Sequence, residues 1–108
     1  MPSKELIAAS TVPVILTILA KGESYGYQLI KEVAEQSGGE LEWSEAMLYP
    51  VLQRLESNKL IQSRWVEGES GKMRKYYRIT RKGATVLEDK KAEWLALHAF
   101  LTRIWKTT

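Results

Sequence analysis

Apolar positions in this 108-residue chain recur at helical spacing in four stretches and alternate in one. Between Glu5 and Lys21 lie fifteen uncharged residues, mostly apolar, which predicts a first helix over about residues 5–20, closed by Lys21 and Gly22. A helix with no polar face must be covered on more than one side, and a small domain has little to cover it with; a partner subunit is the first implication. Ser24 reads as the N-cap of a second helix with Tyr27, Ile30 and Ala34 on its inner face, ending at Ser37-Gly38-Gly39. A third helix starts near Ser44, and Leu48, Val51, Leu52 and Leu55 form its buried stripe at i, i+3, i+4 and i+7. Met47, Tyr49, Gln53, Arg54 and Ser57 are left for the outer face. Pro50 falls inside this helix, removes one backbone hydrogen bond, and has no local compensation.

Residues 60–66 and 73–79 are strand-like, and Glu67 to Gly71 supply the turn of a hairpin. Alternation puts Lys75, Tyr77 and Ile79 on one side of the second strand and Arg74, Tyr76 and Arg78 on the other, a mixed character expected of an edge strand. Thr80 caps a last helix running to about Lys106, roughly 36 Å long at 1.5 Å per residue. Leu87, Trp94 and Leu101 recur every seven residues, and Lys90, Leu97 and Ile104 repeat three places on, which resembles a coiled-coil seam. The helix outruns what the other elements can cover. Leu87, Leu97, Leu101, Ile104 and Trp105 are therefore expected at a dimer interface, the competing reading being one broad core face.

Helix, helix, helix, hairpin, long helix is a mainly α fold with a small β-hairpin: a winged helix-turn-helix over residues 1–80 and a C-terminal dimerisation helix over 81–108, in one structural unit. The net charge of +3 says less than its distribution. Residues 1–71 hold 6 basic and 10 acidic side chains, residues 72–82 hold 6 and 0, and residues 83–108 hold 4 and 3. A local basic patch on a near-neutral body is an expected footprint of nucleic-acid binding, and also of a merely solvated face. Arg81 and Lys82 oppose the dipole of the helix they begin, a cost that a nearby phosphate would offset.

The absence of cysteine excludes disulfides, thiol catalysis and cysteine-ligated metal. His98 is the single histidine, and no phosphate-cradling glycine loop or isolated carboxylate pair is present, so no enzyme, cofactor or metal site is expected. The first apolar run contains Pro13, lacks a cleavage site and is shorter than a membrane span of about 20 residues, so a cytoplasmic location is expected.

Three blocks carry a family resemblance: Ser24-Tyr25-Gly26-Tyr27-Gln28-Leu29-Ile30; Leu48-Tyr49-Pro50-Val51-Leu52-Gln53-Arg54-Leu55-Glu56 with Leu60-Ile61; and Arg74-Lys75-Tyr76-Tyr77-Arg78-Ile79-Thr80 with Gly83. In this order and spacing they resemble the signature of the PadR family of bacterial transcriptional regulators, in its compact branch with one C-terminal helix. The resemblance covers about residues 5–106, and Arg81 departs from it, since the family often has an acidic residue there. It implies a homodimeric repressor on a pseudo-palindromic double-stranded operator, released by a small molecule. Helix 3 would read the major groove, with Met47, Tyr49, Gln53 and Arg54 as candidates for base edges or adjacent phosphates. Lys72, Arg74 and Lys75 of the wing would hold the backbone. By resemblance Trp94 would stack on a flat aromatic effector, whereas Trp43 and Trp65 read as packing residues and Trp105 as closing the interface. A winged helix serving protein contact without DNA is the alternative, and it would not need the basic wing.

Overall fold

The computed structural model describes residues 2–106. Along the chain run α1 (Lys4–Lys21), β1 (Ser24–Tyr25), α2 (Gly26–Gln36), α3 (Glu45–Ser57), β2 (Ile61–Glu67), β3 (Met73–Ile79) and α4 (Arg81–Lys106). The four helices and the hairpin match the expectation; β1 does not. Ser24 is no cap: it pairs with Tyr77, is buried, and donates its hydroxyl to Gln28 Oε1 at 3.0 Å. The N-cap position falls to Tyr25, whose side chain caps nothing. Two residues are too few to show a period, so a serine ahead of a helix reads as a cap.

β1 also changes the standing of β3. The sheet is antiparallel in the order β1-β3-β2, with Ser24 opposite Tyr77, Tyr25 opposite Tyr76, and β2 registered from Ile61 opposite Ile79 to Glu67 opposite Met73. Along Tyr76 and Tyr77, β3 is therefore central rather than an edge. Its mixed polarity is that of a half-covered sheet: Tyr77 is buried and Ile79 half-buried, while Arg74 and Arg78 are exposed.

Ile15, Leu16, Leu29, Leu48, Leu52 and Ile61 form the fully buried centre, to which α1, α2, α3 and β2 all contribute. α3 buries the expected stripe, with Val51 at its margin. In α2 the core residues are Leu29 and Val33, while Tyr27, expected inside, is 62% exposed. Two residues from Leu29 is a rotation of about 200° around the helix, so burying Leu29 turns Tyr27 out.

α4 is fixed at its start and largely exposed beyond. Thr80 Oγ1 accepts from the Gly83 N–H at 3.0 Å and donates to the Lys59 carbonyl at 2.7 Å. A Cβ on Gly83 would stand 2.0 Å from the Leu60 carbonyl oxygen, so only glycine lets the helix lie this close. Leu87 is 2% exposed within this subunit's own core, which removes it from the expected interface set. The first turns of α4 use the seven-residue stripe internally; every residue from 91 to 100 is exposed.

Candidate nucleic-acid interface

α3 is closed at both ends by local hydrogen bonds. Ser44 Oγ accepts from the Met47 N–H at 3.2 Å. At the other end Leu60 N–H returns to the Leu55 carbonyl and Lys59 N–H to Glu56, a Schellman closure in which Lys59 adopts φ +64°. Tyr49, Gln53, Arg54 and Ser57 are exposed on the outer face as expected. Met47 is not: it is half-buried against the core, because with Val51, four residues on, it borders the side facing Ile7 and Thr11 of α1. Pro50 and Ala46, whose carbonyl loses its partner, are both exposed, so the missing bond lies on the wet side of the helix and its cost is low.

Tyr49 leans over the start of α2. A Cβ built on Gly26 would stand 2.4 Å from Tyr49 Oη and 2.8 Å from its Cζ, so the bare backbone at Gly26 makes the seat for the ring. The turn of the wing is closed by Gly68 N–H to the Lys72 carbonyl (2.9 Å), with Gly71 at φ +81° supplying the left-handed residue.

The three wing cations expected on DNA divide. Lys72 is exposed, and so is Arg74, whose guanidinium lies 4.5 Å from the Tyr25 ring centre. Lys75 shares the inner face with Tyr77: its Nζ is 3.5 Å from Glu56 Oε1 and lies over the rings of Trp65 (5.9 Å) and Tyr77 (5.6 Å). Glu56 also accepts from the Ser63 hydroxyl, which ties the last turn of α3 to both long strands. Lys75 is thus tied to α3 through Glu56 and is half-buried, where Lys72 and Arg74 are exposed.

Other charges resolve in the same way. Arg78 donates twice to Gln62 Oε1 (3.1 and 2.8 Å). Arg64 pairs with Glu23 across the outer face of the sheet, and its hydrogen bonds hold the Glu23 carboxyl below the usual carboxylate range. Lys82, set against its own helix dipole, donates to the Asn58 carbonyl at 3.1 Å; its charge sits at the C-terminal end of α3, where a helix dipole favours it.

Between the start of α2, the side of α3 and the wing lies a groove of about 590 Å³. Tyr27, Tyr49 and Trp65 line it, with Lys72, Arg74 and Lys75, and no carboxylate does. Trp65, expected to pack, is 62% exposed here, while Trp43 is buried as expected. The sequence does not single out Gly26, Tyr27 or Trp65 for this groove, although Trp65 lies opposite Lys75 in the register and so must share its face.

Residues 15–89 match the model of the transcriptional regulator PadR-like family. The chain belongs to that family. It is 32% identical over 94 residues to an uncharacterised protein of Lysinibacillus sphaericus, covering 87% of this chain and 86% of that protein. It is 38% identical over 80 residues to the transcriptional regulator YqjI of Escherichia coli, covering 74% of this chain but 37% of YqjI. Among solved structures, a transcriptional regulator from Clostridium thermocellum superposes with a TM-score of 0.87 at 30% identity, covering 95% of this chain and 97% of that one. A PadR family regulator from Eggerthella lenta gives 0.84 at 36% identity, covering 96% and 88%.

As a PadR-like regulator the chain is a DNA-binding protein with a winged-helix fold. Among the described residues no cluster of His, Asp and Glu could hold a metal ion, and no helix is long and apolar enough to cross a membrane.

Proposed function

We propose that this PadR-like protein is a homodimeric repressor that lays α3 in the major groove of each half of a pseudo-palindromic operator, rests the wing on the backbone, and lets go when a flat aromatic molecule binds near Trp94. One observation carries the DNA part: Tyr49, Gln53 and Arg54 are exposed on α3, and Tyr49 shares with Lys72 and Arg74 of the wing a groove that no carboxylate lines. Gln and Arg are the side chains that read adenine and guanine edges in bidentate fashion, each good pair giving about 1–3 kcal/mol of discrimination. Cations at the wing add affinity that falls with salt.

The dimer rests on α4. Trp94, Leu95, Leu97 and Phe100 all lie in its exposed stretch, and Ile104 and Trp105 are also exposed. An apolar surface of this kind on a monomer marks an interaction site. With Leu87 withdrawn into the core, the interface set is Leu97, Leu101, Ile104 and Trp105. Trp94 and Leu95 face α1 and the end of α2 across a groove of about 530 Å³ walled by Pro13, Val14, Ile18 and Val33. That volume suits a small ligand, and an aromatic wall with few polar anchors suits a flat apolar one.

Electrophoretic mobility shift on the DNA upstream of the gene, with and without a panel of planar aromatic compounds, tests both parts, and sedimentation tests the dimer. A shift at low salt that one compound abolishes is expected. No shift overturns the operator reading, and a shift that no compound changes overturns the effector.

A further inference from the structure

The groove beside α3 has more aromatic surface than phosphate contact requires. Tyr27 and Trp65 are each 62% exposed, Met73 50% and Tyr49 44%, and all four line the same depression. These side chains are contiguous, and Lys72 and Arg74 stand at their edge. Large apolar side chains gathered at one surface call for something to cover them. A protein partner would be met by apolar surface with mixed charge at its rim, whereas here every charged lining residue is cationic.

We propose that this groove seats one strand of the operator duplex as a mixed contact: Lys72 takes a phosphate while Trp65, with Tyr27 opposite, packs on the apolar face of a neighbouring deoxyribose. This rests on the DNA-binding reading and deepens it by assigning Trp65 to the interface. Trp65 projects from β2, and Lys72 and Met73 from the turn and the start of β3, while Tyr27 and Tyr49 supply the opposite wall from α2 and α3. Gly26 lies at that wall's base, keeping Tyr49 low enough to leave the groove open.

The two kinds of contact separate by salt. Phosphate contacts release counterions, so each one lost flattens the dependence of log K on log salt by about 0.9, whereas an apolar contact contributes nothing to that slope. Anisotropy titration of a labelled upstream fragment at several salt concentrations tests the assignment in the full-length protein. Trp65→Ala is expected to weaken binding about tenfold at every salt concentration with the slope unchanged, on the scale of aromatic contacts to nucleic acid. Lys72→Ala is expected to flatten the slope by about 0.9. Trp65→Phe, which keeps a ring, is expected to recover most of the loss, and thermal unfolding of both variants should stay close to the parent because the residue is exposed. Parental affinity in Trp65→Ala overturns the proposal. So does a loss accompanied by a flattened slope, since Trp65 would then act only by holding Lys75, whose Nζ lies over its ring. In either case the parent still shifts DNA; absence of binding by the parent would remove the DNA reading itself.

Discussion

Gly26→Ala separates the fold of this protein from the geometry of its reading face. The added methyl would lie 2.4 Å from Tyr49 Oη and 2.8 Å from Cζ, about 1 Å inside ordinary contact, so one of the two must move. The obstructing atoms are the far end of a side chain that is 44% exposed, so Tyr49 swings outward and the fold survives. Replacing glycine in the first turn of α2 returns up to about 0.5–1 kcal/mol of backbone entropy, against a similar cost for displacing the ring. Stability measured by urea denaturation should therefore stay within about 1 kcal/mol of the parent. Affinity for the upstream fragment should fall about tenfold, the lower part of the 1–3 kcal/mol expected for a well-placed contact of α3. Tyr49→Ala should lose about as much, and the double variant no more than either, because both changes remove one arrangement. Additive losses, or a Gly26→Ala protein that binds like the parent, would refute the reasoning.

The contrasting glycine is Gly83. There a Cβ meets the Leu60 carbonyl at 2.0 Å, backbone that cannot swing aside, so Gly83→Ala should destabilise by at least about 3 kcal/mol and lower Tm by more than about 10 °C in a melt followed by circular dichroism. Lys59 holds φ +64° in the Schellman closure of α3, a conformation that penalises a side chain; Lys59→Gly should raise the urea midpoint, with a gain of about 0.5–1 kcal/mol. Burial, and then the charges of Glu56 and Tyr49, push the Tyr77 phenol above its ordinary range near 10. The folded pKa lies above the unfolded one, so the contribution is complete below pH of about 10 and is lost as pH rises through the folded value. Urea midpoints should accordingly fall more steeply above pH of about 10 in the parent than in Tyr77→Phe.

What the sequence showed well is what a single element decides alone. The stripe Leu48, Leu52, Leu55 is buried, the Ser44 and Thr80 caps form, and α4 runs as expected, because each depends on neighbours within one helix. What it hid lies between elements. Six basic residues and no acidic ones over residues 72–82 read as one patch, yet the fold sends them in different directions. Lys72 and Arg74 point outward at the wing, Lys75 turns to Glu56, Arg78 to Gln62, and Lys82 to the end of α3. Charge counting sums what strand alternation separates. Tyr27 went astray for a related reason: Leu29 and Tyr27 both fit an apolar face, and only the pairing of β1 with β3, which sets where α2 begins, decides between them.

The same cross-element contacts bear on how a signal at α4 would reach DNA. α4 begins where α3 ends, and three contacts pin the junction: Thr80 to the Lys59 carbonyl, Lys82 to the Asn58 carbonyl, and Gly83 against Leu60. From the other side of α3, Glu56 fixes the wing through Ser63 and Lys75. The α3 helix and the wing are thus tied to each other and to the root of α4, whereas residues 91–100 beyond that root are all exposed. In the proposed dimer, a tilt of the exposed part of α4 against the second subunit would therefore be passed to α3 and the wing as a rigid turn rather than absorbed in a loop. Because α4 is about 39 Å long at 1.5 Å per residue, a tilt of a few degrees moves its far end by ångströms, enough in the proposed dimer to change the spacing between two α3 helices set to meet grooves one DNA turn apart.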